Sequence, residues 1–143
     1  MLREMVILVC HAQDGRFADG DRAAVRQILQ HSNYVARTTV LEAGVQQVIC
    51  VDGGQLVLRA PGLDGPRSFH RMDIFPMSVW TGAMVGLLYD LMHKGGFGLV
   101  QDLATSQFLV THAQQITYFP WLPEPPVLVR SAGELATSLA RAG

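Results

Sequence analysis

The sequence predicts an α+β fold: a largely antiparallel sheet of about five to seven strands covered by about three helices. Three segments show the 3.6-residue periodicity of amphipathic or buried helices, and short β-branched runs lie between them. Several of these runs follow one another with only turn-length connections, which favours antiparallel pairing. With 49% apolar and 16% charged residues among 143, the chain can form one hydrophobic core, and we expect a single domain over residues 1–143.

The first predicted elements are a buried strand and a capped helix. Met5–Cys10 has no charge and is β-branched at three positions. A loop rich in Asp and Gly follows, and Asp21 is placed to cap a helix that ends near His31. The apolar residues of this helix recur at the i, i+3, i+4 spacing of one buried stripe.

A hairpin is predicted next. The runs 47–51 and 55–59 flank Asp52-Gly53-Gly54, residues that favour a tight turn. Short strands are expected before it, over Thr38–Leu41, and after it, over Ser68–Phe75.

The central helix is predicted from Pro76 to Lys94, because proline suits a first helical turn and Gly95-Gly96 follows the last one. Apolar residues at helical spacing predict one fully buried face: Trp80, Met84, Leu87, Leu88 and Leu91. Small residues at four-residue steps predict a strip where a neighbouring backbone approaches closely: Ser78, Gly82 and Gly86.

The last third predicts short strands and a helix. Strands are expected over Gly98–Asp102, Gln107–His112, Gln115–Phe119 and Val127–Arg130. Ser131 and Glu134 are spaced as a capping box, which predicts a final helix with Leu135 and Leu139 facing inward.

The charge and the cysteines limit which partners and which cellular compartment are expected. A net charge of −1 gives no broad basic face, so neither nucleic acid nor a membrane is expected as a partner. Ten arginines against one lysine suggest a GC-rich genome, and the N-terminus lacks a secretory signal, so we expect a bacterial, cytoplasmic protein. Cys10 and Cys50 lie in apolar runs and are interpreted as buried hydrophobes, a bridge between neighbouring strands being the alternative.

An acidic loop after the first strand is one candidate site. His11, Asp14, Asp19 and Asp21 fall where open α/β sheets bind ligands, and their side chains could hold a cation or act as acid and base. The alternative is that Asp14 and Asp19 are turn residues and Asp21 is only a helix cap.

An aromatic segment interleaved with prolines is the other candidate. Tyr118, Phe119, Trp121 and Leu122 alternate with residues that fix the backbone, which lowers the entropy cost of presenting them to a partner. The alternative is that some of these rings fold back onto the core as a lid.

No recognisable catalytic motif is present in the sequence, and we expect no cofactor and no bound metal. The first hypothesis is a non-enzymatic domain that binds another protein, such as an immunity or inhibitor protein that neutralises a cognate bacterial toxin. Its binding residues would be the aromatic segment and the three aspartates of the acidic loop. The alternative is a small enzyme or ligand-binding domain that uses His11 and those aspartates, with or without a metal. A homodimer formed through the central helix or an exposed strand is a further possibility.

Overall fold

The computed structural model of the chain describes residues 5–101, 108–119, 122 and 124–142. Within them the chain forms eight strands, three α-helices and one 3₁₀-helix. The strands are β1 Val6–Val9, β2 Val35–Glu42, β3 Val45–Cys50, β4 Gln55–Arg59, β5 Arg71–Pro76, β6 Gly98–Val100, β7 Phe108–Val110 and β8 Val127–Leu128. The helices are α1 Arg22–His31, α2 Gly82–Gly95 and α3 Ala132–Ala142, with the 3₁₀-helix at Ala113–Tyr118.

All eight strands belong to one sheet in the order β2-β3-β4-β5-β1-β6-β7-β8. Every neighbouring pair is antiparallel except β7 and β8, which are parallel. The predicted α+β class with a largely antiparallel sheet is confirmed, with one strand more than expected. The predicted hairpin is present as β3 and β4, because Asp52 and the two glycines form the turn between them.

The hydrophobic core lies between the helices and one face of the sheet. Leu58, Ile74 and Val6 stand opposite one another on β4, β5 and β1, and all three are fully buried. Helix α2 packs against both α1 and α3. Its residues Met84, Leu87, Leu88 and Leu91 are buried in the same cluster, as the helical spacing predicts.

Helix α2 begins at Gly82, so the predicted start at Pro76 is wrong. Pro76 instead ends β5, opposite Leu56 of β4, and the helix is capped by Thr81, whose hydroxyl accepts a hydrogen bond from Met84 N at 3.3 Å. Trp80 therefore precedes the helix and is only half-buried, not part of the inaccessible face.

The predicted strand Gln115–Phe119 is wrong: the chain forms the 3₁₀-helix there. Gln115 Oε1 accepts hydrogen bonds from the backbone N–H groups of His112, at 3.0 Å, and Thr111, at 3.2 Å. These bonds turn the chain back on itself directly after β7. The final helix is capped as expected, with Glu134 N donating to Ser131 Oγ at 3.1 Å.

The two cysteines are separate, buried thiols. Cys10 follows β1 and Cys50 ends β3, and neither forms a disulfide. The interpretation of both cysteines as buried hydrophobic residues is therefore confirmed, and the alternative of a disulfide bridge is wrong. Among the described residues, none of the helices has the length and apolar character needed to cross a bilayer.

Candidate functional site

The carboxylates of the acidic loop are engaged in holding the chain. Asp14 accepts a hydrogen bond from the backbone N–H of Arg16 at 3.0 Å. Asp19 Oδ1 accepts one from Phe69 N at 2.9 Å, which ties the loop to the segment before β5. Asp21 accepts from Ala24 N at 3.0 Å and caps α1. Asp14 and Asp21 therefore have the local turn and cap roles of the alternative interpretation, whereas Asp19 forms a long-range tie that this interpretation did not include.

Arginines accompany two of these aspartates. Arg16 Nε lies 3.7 Å from Asp14 Oδ2, and Arg22 donates to Asp19 Oδ2 at 3.1 Å. The hydrogen bond from the Phe69 backbone, followed by that from Arg22, holds the pKa of Asp19 below its usual range. The loop is thus a set of paired charges rather than a uniformly negative surface.

An aromatic cluster surrounds His11. Its ring lies 5.1 Å from the ring of Phe17, 4.6 Å from that of Phe119 and 6.1 Å from that of Phe108, measured between centroids. Phe17 in turn stacks on His70 at 4.5 Å. Burial of the imidazole, and secondarily the charge of His70, lower the pKa of His11.

Phe119 is the innermost described residue of the aromatic segment. It is 4% exposed and packs against Phe108 with ring centroids 4.6 Å apart. Tyr118 and Leu122 are half-buried and keep part of their surface accessible. Trp121 lies outside the described residues. One ring of the predicted binding segment therefore folds inward, and Tyr118 and Leu122 remain available to a partner.

An open cleft of about 370 Å³ lies beside His11. Asp19 and Asp21 line it together with Cys10 and two histidines that the sequence had not linked to the loop, His93 and His112. The rings of these two histidines stack at 4.1 Å, and His112 Nε2 donates a hydrogen bond to the His93 carbonyl at 2.9 Å. Burial, and then the neighbouring His112, lower the pKa of His93.

Cys10 is the thiol that lines the cleft. Burial, with a smaller effect of Asp19, raises the pKa of the Cys10 thiol to about 11, so at neutral pH the reactive thiolate is scarcely formed. The side chains of Asp19 and Asp21 already accept backbone hydrogen bonds. Within the part of the chain that is described, no three His, Cys, Asp or Glu side chains are grouped as metal ligands.

A second surface, which the sequence did not indicate, lies where the β3–β4 turn meets the segment between β5 and α2. Val51 is 60% exposed, Met77 54% and Val79 56%; we call these three residues the apolar rim. The sequence predicts Met77 and Val79 as part of the central helix, which conceals their exposure. No local sequence signal marks this surface, because its two segments are joined through Asp52, 31 residues before Ala83.

Asp52 holds the two halves of the apolar rim together. Its carboxylate accepts hydrogen bonds from Thr81 Oγ1 at 2.9 Å and from Ala83 N at 3.0 Å. Close by, Met77 N donates to the Gln55 carbonyl at 2.8 Å.

Comparison of the sequence with protein-family models, curated proteins and solved structures finds no match.

Proposed function

We propose that this chain is a non-enzymatic protein-binding domain. The observation that carries the proposal is the apolar rim, three large aliphatic side chains more than half exposed at one end of the sheet. Isolated exposed apolar residues are ordinary on protein surfaces, whereas grouped ones mark contact sites. Hydrogen bonds join the two segments that carry the rim, which places its three residues in one region of the surface.

The rigidity of the two segments that carry the apolar rim supports the proposed binding function. Loops that must order on binding lose conformational entropy, which reduces the affinity that a given contact area provides. Here the turn between β3 and β4 is bonded to the N-terminus of α2 through Asp52, and Gln55 N donates to Ser78 Oγ at 3.2 Å. The rim is therefore held in place before a partner arrives, and docking on it costs little ordering.

In its finer form, the proposal is an immunity or inhibitor protein that neutralises a cognate bacterial toxin in the cytoplasm. The partner would present an apolar patch to the rim. Asp14, Asp19 and Asp21 would face its basic groups, and the Asp14 side chain, at 61% exposed, is more accessible than that of Asp19, at 49%. Tyr118, Leu122 and Trp121 would supply further contacts, whereas Phe119 offers little surface.

The test is to capture a binding partner from a lysate of the source organism, purify it, and titrate it with matched variants of this chain. Val79→Asp places a charge in the rim, and Val127→Asp places the same charge on β8, where the valine is also exposed. We expect Val79→Asp to weaken binding at least tenfold, about 1.4 kcal/mol, and Val127→Asp to leave it unchanged. Both variants should keep the parent's melting temperature. Equal affinities for the two variants would refute the rim as the binding site.

The second candidate function is a small enzyme or ligand-binding domain, with or without a metal, and the cleft beside His11 is the observation that favours it. His11, His93 and His112 converge there with Asp19 and Asp21. Titration of the labelled protein with inorganic phosphate and, separately, with Zn²⁺ would test this by NMR. Saturable shifts of the three histidines, absent in a His11→Ala variant, would support it.

A further inference from the structure

Strand β2 is a long edge that the rest of the described chain leaves open on one side. It has eight residues, ends the sheet order and pairs only with β3 among the described strands. All of its residues except Val35 are exposed, with Val40 72% and Leu41 54% accessible. An antiparallel edge strand presents unpaired backbone N–H and C=O groups on its outer side, which form a template for another strand.

Of the features that keep such edges apart, β2 lacks lysine and proline and has a register shift at each end of a regular middle stretch. It contains no lysine and no proline, the residues that most often block edge pairing. Its pairing with β3 shifts register between Val35 and Arg37 and again between Val40 and Glu42. The stretch Arg37–Val40 between these shifts is regular, so it can pair on its outer side.

The charges of β2 are complementary to those of a second, antiparallel copy. Arg37 stands opposite Ile49 and Glu42 opposite Val45. Ile49 and Val45 are four residues apart on β3 and share one face of the sheet, so Arg37 and Glu42 also project from one face. Arg37 lies two residues before Thr39, and Glu42 lies three residues after it. The extra residue, Leu41, falls at the register shift between Val40 and Glu42, so the two charged residues are equally far from Thr39 in units of paired positions.

We propose that the outer edge of β2 pairs antiparallel with the same edge of a second copy of this chain, centred on Thr39. A two-fold axis through this position places Arg37 of each copy beside Glu42 of the other, twice in the dimer. Thr38 then faces Val40 of the second copy. A parallel arrangement would instead bring Arg37 beside Arg37, which is repulsive. The pairing joins the two sheets into one and leaves the apolar rim, which lies on the β3–β4 turn and the segment before α2, free for the proposed partner.

The experiment is sedimentation velocity of the full chain from roughly 10 μM to 1 mM, with charge-reversed variants. We expect the parent to shift toward the dimer mass as concentration rises. Arg37→Glu and Glu42→Arg should each remain monomeric, because each places like charges together. An equimolar mixture of the two variants should recover the dimer, because both contacts then join opposite charges.

Arg130→Glu is the control, since it changes net charge by the same amount beyond β8, at the opposite edge of the sheet. It should dimerise as the parent does. Far-UV circular dichroism and melting temperature confirm that each variant is folded. A parent that stays monomeric over the whole range would overturn the proposal. So would an Arg37→Glu variant that dimerises like the parent, or a variant mixture that fails to pair.

Discussion

The ring of Tyr34 lies directly against Gly86 in the middle of α2. A Cβ atom built on Gly86 would stand 2.5 Å from Cζ of Tyr34 and 2.6 Å from its Cε1. Tyr34 immediately precedes β2 and is half-buried against the core. The glycine is therefore the residue that allows the β2 end of the sheet to approach the central helix.

Gly86→Ala should destabilise the protein although alanine is the better helix former by about 1 kcal/mol. The added methyl group must displace the tyrosine ring, whose contacts with α2 are then lost. Gly82→Ala is the matched control, because nothing lies within 4 Å of a Cβ there. Chemical denaturation should show Gly82→Ala as stable as the parent or more so. Higher stability for both variants would contradict the close packing of Tyr34.

The predicted strip of small residues is closely packed at one of its three positions, and there by a side chain rather than by a neighbouring backbone. Gly86 contacts the Tyr34 ring, Gly82 has open space, and Ser78 precedes the helix. Four-residue spacing shows which residues share a helix face, provided that the helix extends over all of them. It did not show where the helix begins.

Leu88→Ala should cost about 2–5 kcal/mol in free energy of unfolding. Leu88 is almost fully buried in the central helix, so its truncation loses transfer free energy and leaves a cavity. Urea denaturation measures the loss. Val127→Ala, at an exposed site on β8, should change stability by less than about 0.5 kcal/mol. A similar small loss for Leu88→Ala would mean that α2 is not the centre of the core.

The features that the sequence predicted correctly are those determined by local chemistry. Helix α1 begins after Asp21 because that side chain caps its first turn, and the Asp52-Gly53-Gly54 turn forms between neighbouring strands. The failures have both local and distant causes. The bonds of Gln115 that replace the predicted strand reach only three and four residues back, whereas α2 begins where Asp52, 31 residues before Ala83, accepts a hydrogen bond from that residue.

The candidate site shows the same limit. Sequence spacing grouped His11 with Asp14, Asp19 and Asp21, and the structure places all of them except Asp14 at one cleft. Sequence spacing could not show that His93 and His112 also line this cleft, because those residues come from α2 and from the turn after β7. Sequence spacing also could not show that Phe119 packs on His11. This contact decides how much of the aromatic segment faces solvent.

Both cysteines should be unreactive in the folded protein. Burial raises the pKa of Cys10 and of Cys50 to about 11, and in each case a neighbouring aspartate adds to the shift. At pH 8 a thiol-specific chromogenic disulfide reagent should therefore react with neither thiol on the time scale of mixing. In guanidinium chloride both should react at once. Rapid reaction of one native thiol, abolished by Cys10→Ser, would instead identify an accessible Cys10 in the cleft.

Asp52 should make the stability of the fold depend on acid pH. The hydrogen bond from the backbone of Ala83 is the main cause that lowers the pKa of Asp52 in the folded state. Desolvation, the next largest effect, opposes it, and hydrogen bonds from Gly54 and the Thr81 hydroxyl add to the lowering. A group whose pKa is lower in the folded state stabilises the fold above its unfolded pKa. That contribution is lost as the pH falls below about 4 toward the folded value.

Asp52→Asn tests this dependence, because the amide keeps the shape of the side chain but carries no charge. Denaturation curves at pH 7 should show the variant less stable than the parent, and the difference should shrink steadily between about pH 4 and pH 2. Asp64→Asn is the control, since the Asp64 side chain is exposed and its Oδ1 lies as far as 3.9 Å from Nε of Arg26. Its effect should be small at every pH. A constant difference between Asp52→Asn and the parent down to pH 2 would show that the carboxylate charge does not hold α2 to the β3–β4 turn.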